Sequence, residues 1–288
     1  MQHYLRLMRP EQYVKNIFVF APMFFGGALL NEGTWLNVGV AFLCFCFVAS
    51  AIYIVNDYFD IQADREHPTK KFRPLASGTV NIKNAFILSA LLFIVSIALS
   101  MSVSSELTAI LVMYVFANVF YSRWLKHIAI LDLNIIAFGF VLRLLAGSVA
   151  TDVTPSIWIL LITYILTLFL ALGKRRTDVV LASKGKEVRR SIEGYNLMFV
   201  DIVLGMLAAV LTVCYIFYCI SPEVQDHYNS KLLYVSIIFV INGLFRYLKL
   251  AIVDESTYSP TLILLTDRFL QITILGYLIL MSYLLYFH

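Results

Sequence analysis

Residues 36–64 read LNVGVAFLCFCFVASAIYIVNDYFDIQAD, an apolar run that passes without a turn signal into Asn56, Asp57, Asp60 and Asp64. The apolar part is about 20 residues long, the length an α-helix needs to cross a hydrocarbon core of roughly 30 Å. The acids then follow at steps of three and four, which places Asp57, Asp60 and Asp64 on one face of a continuing helix. Carboxylates stacked in this way repel one another unless cations sit among them. Magnesium takes oxygen ligands, keeps several waters and bridges one or two carboxylates to phosphate oxygens. The row, with Asn56, therefore reads as a magnesium site for a diphosphate. A merely solvated acidic helix end is the bland alternative. It fits poorly at a membrane face where loops select for cations and ionisable groups are costly.

The rest of the chain repeats the apolar half of that pattern. Its 288 residues are 60% hydrophobic and 14% charged, with a mean hydropathy of +0.82, far from the balance of a soluble domain. Nine spans are expected, near 16–31, 36–56, 83–103, 106–124, 131–151, 156–173, 197–220, 232–250 and 269–287. Pro22 and two glycines interrupt the first. The expected fold is thus all-α and polytopic, as a single membrane domain over 1–288. The two longest connections, 57–82 and 174–196, lie four helices apart and hint at a repeated helix unit. No removable signal peptide is expected, because the apolar stretch begins only after Arg6, Arg9 and Lys15. Cys44, Cys46, Cys214 and Cys219 all fall inside spans, where cysteine behaves as a small apolar residue rather than as a disulfide or metal ligand.

Basic residues sort by loop. Arg6, Arg9 and Lys15 precede the first span, Arg65, Lys70, Lys71, Arg73 and Lys83 follow the second, and Arg123 and Lys126 follow the fourth. Lys174, Arg175, Arg176, Lys184, Lys186, Arg189 and Arg190 follow the sixth, while Lys231 is the only cation expected on the opposite side. By the positive-inside rule the N-terminus and the acidic row face the cytoplasm, and nine spans put the C-terminus outside. The sequence pI of about 8.8 follows from this sorting, so nucleic-acid binding is not expected.

The segment Asn56-Asp57-x-x-Asp60-x-x-x-Asp64 resembles the first aspartate-rich motif of the UbiA prenyltransferase superfamily, and the resemblance extends over essentially the whole chain. It implies a UbiA-like helical bundle with a cytoplasmic-facing active site in which this motif holds a diphosphate through Mg2+. Most aromatic prenyltransferases of the family carry a second aspartate-rich motif after the sixth span. Here that position reads Ala171-Leu172-Gly173-Lys174-Arg175-Arg176-Thr177-Asp178. That exchange of acids for cations looks like the decaprenyl-phosphate phosphoribosyltransferase branch. So do Arg9-Pro10-Glu11-Gln12-Tyr13-Val14-Lys15-Asn16, His67-Pro68-Thr69-Lys70-Lys71-Phe72-Arg73-Pro74 and Phe140-Val141-Leu142-Arg143. The resemblance then implies phosphoribosyl diphosphate as donor and a polyprenyl phosphate as acceptor, at the inner membrane.

On this reading Asn56, Asp57, Asp60 and Asp64 are metal ligands, and either Asp57 or Asp60 steadies positive charge at ribose C1. Lys15, Asn16, Lys70, Arg73, Lys126, Lys174, Arg175 and Arg176 are candidate phosphate contacts. For Lys126 and Arg176 a solvated cytoplasmic charge serves equally well. Arg143 lies mid-span, where an unpaired guanidinium is costly. With Asp132 and Asn134 on the same helix and Asp201 opening the seventh span, a structural ion pair and a substrate contact stand as equal readings. His67 and His127 lack metal-ligand spacing. Two other readings remain: an aromatic prenyltransferase using a prenyl diphosphate donor, and a membrane transporter. The missing second acidic motif counts against the first, and an acidic row beside a basic loop at one face counts against the second. A homo-oligomer is left open.

Overall fold

The structure, a computed structural model, describes residues 2–67, 69–183, 194–255 and 260–287, and among these every regular element is helical. The expected loop cations Lys184, Lys186, Arg189 and Arg190, and Pro68 of the basic segment, lie outside the described residues. Eight helices are long and apolar enough to cross a membrane: α1 (Glu32–Phe59), α2 (Ile82–Met101), α3 (Ser105–Arg123), α4 (Leu131–Thr151), α5 (Ile157–Ser183), α6 (Leu197–Ile220), α7 (Leu232–Val253) and α8 (Arg268–Tyr286). Side-chain caps fix where several begin. Asn81, Ser104, Asn196 and Asp267 accept from Lys83, Leu107, Phe199 and Leu270 N–H at the starts of α2, α3, α6 and α8, satisfying donors that a helix start leaves open.

Two expectations are corrected. The stretch 16–31 is no single helix: a 3-10 run over Pro10–Phe20 passes into a short α-helix, Ala21–Phe25, and a 3-10 turn, Ala28–Leu30. Pro22 has no N–H to close an α-turn on the Phe18 carbonyl, and that carbonyl instead takes the 3-10 bond from Ala21 N–H. The left-handed Gly27, at φ 70°, then ends the short helix. The sixth expected span does not stop at residue 173 either. Helix α5 continues to Ser183, so Lys174, Arg175 and Arg176 project from a helix rather than a loop.

The chain forms two compact units, Met1–Lys126 with Gly139–Pro155, and His127–Phe138 with Ser156–His288. Helix α4 contributes to both, its first turns to the second unit and the rest to the first. In the first unit α1 lies along α2. Ser89 and Ser96 donate to the Ala51 and Cys44 carbonyls at 3.0 Å each, close helix contacts of the kind small hydroxyl residues permit in membranes. Phe45, Val48 and Ile52 of α1 pack with Leu107, Leu111 and Tyr114 of α3 and Leu142 and Ala146 of α4. In the second unit Phe169 and Leu172 of α5 pack with Leu204 and Leu211 of α6 and Leu244 and Tyr247 of α7. Gly173 is required there, because a Cβ would stand 2.1 Å from the Tyr247 hydroxyl.

Candidate active site

The acidic row is divided by a break in its helix. Helix α1 ends at Phe59, Asp60 caps it at φ −97° and ψ 2°, and a short helix resumes over Ile61–Glu66. The single continuous face read from the spacing is therefore corrected. Asp57 and Asp64 turn inward, 2% and 4% exposed, whereas Asp60 is half-buried and accepts from the Asn56 amide at 3.2 Å.

Each acid meets a cation of the same unit. Arg73 Nη1 lies 2.6 Å from Asp64 Oδ2 and 3.3 Å from Asp57 Oδ1, one guanidinium nitrogen shared by two buried carboxylates. Arg9 also pairs with Asp57, and Lys126 pairs with Asp60. The basic segment is folded to make this possible. His67 Nδ1 accepts from the Thr69 and Lys70 N–H groups, Arg65 donates to the Ala76 carbonyl at 3.1 Å, and buried Leu75 and Val80 join a core with Leu7 and Ile54. Arg9 holds a left-handed backbone at φ 54°, a conformation L-residues adopt rarely and at some strain, with its guanidinium 5.1 Å from the centre of the Tyr53 ring.

Among the described residues no group of three His, Cys, Asp or Glu side chains converges as a ready metal cage. Magnesium does not need one, since one or two carboxylates suffice when phosphates and waters complete its shell. Arg73 Nη1, between Asp57 and Asp64, acts as a stand-in cation. The donors around it are hard oxygens, so the residues fit that metal.

The other predicted positions fall into three groups. Lys15 sits half-buried on the 3-10 run, Lys70 half-buried on the turn Lys70–Phe72, and Lys174 exposed on α5. Arg175 and Arg176 are buried in the second unit. Arg175 pairs with Asp132 at 2.6 Å and with Asp178 at 3.1 Å. Arg176 pairs with Asp201 at 2.6 Å and donates to the Ala251 carbonyl, so it is not a solvated surface charge. Tyr195 donates to Asp132 at 3.1 Å and accepts from Ile130 N–H. Burial first, and then the Asp132 charge, push that phenol up to about 12, so it stays a donor.

Arg143 and Asn16 form the third group, inside the first unit. The guanidinium donates to Asn16 Oδ1, the Gly139 carbonyl and the Tyr114 hydroxyl, each at 2.8 Å. Phe45, Tyr114 and Phe140 wall it, with ring centres 4.8 to 5.4 Å away. Asp132 and Asp201, which the sequence offered as partners, belong to Arg175 and Arg176. Among the described residues Arg143 has no carboxylate partner, and the ion-pair reading is corrected. The Asn16 amide is itself used, with Oδ1 accepting from Arg143 and Nδ2 donating to Cys46 Sγ at 3.2 Å. Arg9 is the residue the site reading omitted. It stands in the segment Arg9–Asn16, of which the sequence reading names only Lys15 and Asn16 as site residues, and nothing in the sequence ties it to Asp57.

The model of the UbiA prenyltransferase family matches residues 19–251, and the chain belongs to that family. Within it, the decaprenyl-phosphate phosphoribosyltransferase of Mycolicibacterium smegmatis is 34% identical over 285 residues, covering 95% of this chain and 89% of the relative. The enzyme of the same name from Corynebacterium glutamicum is 33% identical over 279 residues, covering 95% and 83%. Among solved structures, a UbiA homolog from Archaeoglobus fulgidus bound to GPP and Mg2+ superposes with a TM-score of 0.75 at 18% identity, over 98% of this chain and 99% of its own. That likeness is one of fold; the eight apolar helices and the family match indicate a multi-pass membrane protein.

Proposed function

We propose that the chain transfers 5-phosphoribose from phosphoribosyl diphosphate to a polyprenyl phosphate, releasing diphosphate, with Mg2+ as cofactor. The carrying observation is the buried Asp57–Arg73–Asp64 arrangement, flanked by Arg9 and Lys126. This site joins carboxylates that hold a metal to cations that hold phosphate oxygens. The names of the 34% and 33% identical relatives, matched over 95% of the chain, support phosphoribose as the group moved.

Bound magnesium would neutralise the diphosphate as it leaves and so make it a better leaving group. Asp57, Asp64, Asp60 and Asn56 are the residues that would hold the metal. Arg9, Arg73 and Lys126 would hold phosphate oxygens, Arg with its planar fork and Lys as a point charge. A lipid phosphate oxygen then forms a bond to ribose C1 as the bond from C1 to the diphosphate oxygen breaks. The attacking oxygen is already anionic, so no side chain removes a proton. The residues contribute alignment and charge stabilisation. Lys15, Lys70 and Lys174 remain proposed phosphate contacts.

The proposed setting is the inner membrane, with the N-terminus and this site in the cytoplasm and the C-terminus outside. The helical run over residues 10–25 supports a ninth crossing. At about 2.0 Å per residue in its 3-10 part and about 1.5 Å in its α part, it rises roughly 30 Å. The test of function supplies purified protein and Mg2+ with phosphoribosyl diphosphate plus polyprenyl phosphate, or with prenyl diphosphate plus 4-hydroxybenzoate. Lipid-linked phosphoribose is expected from the first mixture alone. Prenylated 4-hydroxybenzoate without any lipid-linked phosphoribose would refute the proposal in favour of aromatic prenyl transfer.

A further inference from the structure

The 3-10 run over Pro10–Phe20 is 11 residues long, whereas such helices rarely exceed three or four. Its contacts explain why it persists. Three residues per turn bring Pro10, Tyr13, Asn16 and Val19 onto one edge. Tyr13 meets Ser50 of α1 at 2.9 Å, and Asn16 meets Cys46 of α1 at 3.2 Å. Three residues of 3-10 helix rise about 6 Å, and so do four residues of α-helix. The run therefore keeps step with the i, i+4 row of α1, and one turn of it matches one step from Cys46 to Ser50. Farther along, Val19 is seated by a backbone contact. Gly147 of α4 lies so close that a Cβ there would stand 1.9 Å from the Val19 carbonyl oxygen.

Relaxation of this run to α geometry would shorten it by about 0.5 Å per residue, roughly 5 Å in all. Its N-terminal end carries the strained Arg9, whose guanidinium sits on Asp57. A shift of that size removes Arg9 from the acid. Something must hold the register, and one side chain touches every element concerned. Arg143 of α4 bonds Asn16 on the run, Tyr114 on α3 and Gly139 on its own helix, and it lies over the Phe45 ring of α1. Its partners are neutral oxygens pointing in three directions, which suits a planar fork and not the point charge of a lysine.

We infer that Arg143 is a positioning residue: through Asn16 it locks the Pro10–Phe20 run in 3-10 register on α1 and thereby delivers Arg9 to Asp57. This rests on the reading of Asp57 as part of a metal-diphosphate site, but not on which donor carries the diphosphate.

The full-length protein, its Arg143→Met, Arg143→Lys, Asn16→Ala and Arg9→Met forms, and the Arg9→Met/Arg143→Met double variant decide it. Hydrogen exchange is read first, without ligand. Amides of residues 11–20 exchange at least about tenfold faster in Arg143→Met and Asn16→Ala, while those of α6 and α8 keep their rates. Titration with magnesium and inorganic diphosphate is read second. Arg143→Met weakens binding about as much as Arg9→Met, the double variant is no worse than either, and Arg143→Lys does not rescue. Additive losses in the double variant, or unchanged exchange over residues 11–20, overturn the inference. If Arg143→Met does not fold, Asn16→Ala carries the same cycle with Arg9→Met. Failure of the wild-type protein to bind magnesium diphosphate would instead strike the proposed function, and the exchange experiment would still judge the register.

Discussion

Replacing Arg73 with methionine removes the guanidinium nitrogen that Asp57 and Asp64 share and keeps most of the aliphatic stem. Asp57 retains Arg9. Asp64, 4% exposed, loses the one cation that pairs with it among the described residues. Stripping a partner from a buried pair costs about 3–5 kcal/mol. Because the Arg73 side chain is 24% exposed, solvent screening brings the expected loss to about 2 kcal/mol. For a chain of this size that lowers the unfolding midpoint by roughly 4 °C. The diagnostic comparison is with and without magnesium. In the wild-type protein the metal must displace Arg73 to reach both carboxylates. In Arg73→Met only Arg9 still competes, at Asp57 alone, and Asp64 is open, so magnesium in large excess over its dissociation constant restores about 2–3 kcal/mol. Thermal unfolding in detergent at one scan rate, in chelator and in magnesium, measures both numbers. Adding Asp64→Asn to Arg73→Met is expected to recover most of the loss in chelator and to abolish the extra response to metal. The same magnesium shift in Arg73→Met as in wild type would refute the claim that metal and guanidinium compete for the two acids.

Asp57→Asn and Asp60→Asn are each expected to lower transfer at least about 100-fold while leaving helix content by circular dichroism unchanged; near-normal turnover in both would remove the metal-site assignment. Gly147→Ala places a methyl group 1.9 Å from the Val19 carbonyl oxygen, and overpacking of this kind costs about 1–3 kcal/mol, to be read as a lowered thermal midpoint with faster exchange over residues 11–20. The hydrogen bond from Arg246 holds the Asp267 carboxyl below its ordinary range. Its contribution is therefore complete above the unfolded carboxylate value and is lost as pH falls through the lowered folded value. Wild-type stability should fall more steeply below about pH 4 than that of Asp267→Asn, and parallel acid profiles would remove this pair from the account.

The helices were legible because their signal is summed over about 20 residues, and no single side chain decides it. The exceptions trace to single residues. Pro22 lacks one N–H and Gly27 takes a left-handed backbone, and together they break an expected span into a 3-10 run, a short α-helix and a 3-10 turn. The end of α5 was misplaced at residue 173 because charged residues read as loop. Arg175 and Arg176 instead stay helical by pairing with Asp132, Asp178 and Asp201, acids up to 43 positions away. In the acidic row the spacing named Asp57, Asp60 and Asp64 but could not show the break at Asp60, which assigns two acids to Arg73 and the third to Lys126. Arg9 was invisible as a site residue because it reaches Asp57 through a left-handed turn 48 residues upstream.

These pairings change where the phosphate-binding charge must come from. Three consecutive basic residues of α5 suggested a surface prepared for anions, yet Arg175 and Arg176 are neutralised by three carboxylates of their own unit. To meet a substrate Arg175 would have to abandon the buried Asp132, and Arg176 the half-buried Asp201 and the Ala251 carbonyl. The first unit differs in this respect. Arg9, Arg73 and Lys126 also rest on acids, but on acids that a metal can take over. On the proposed function, a carboxylate that held the metal would leave its cation available for a phosphate oxygen, so neither charge would be left unpaired in a setting of low dielectric. On that proposal the acidic row and the basic segment would work as one exchange, receiving metal and diphosphate together more readily than either alone.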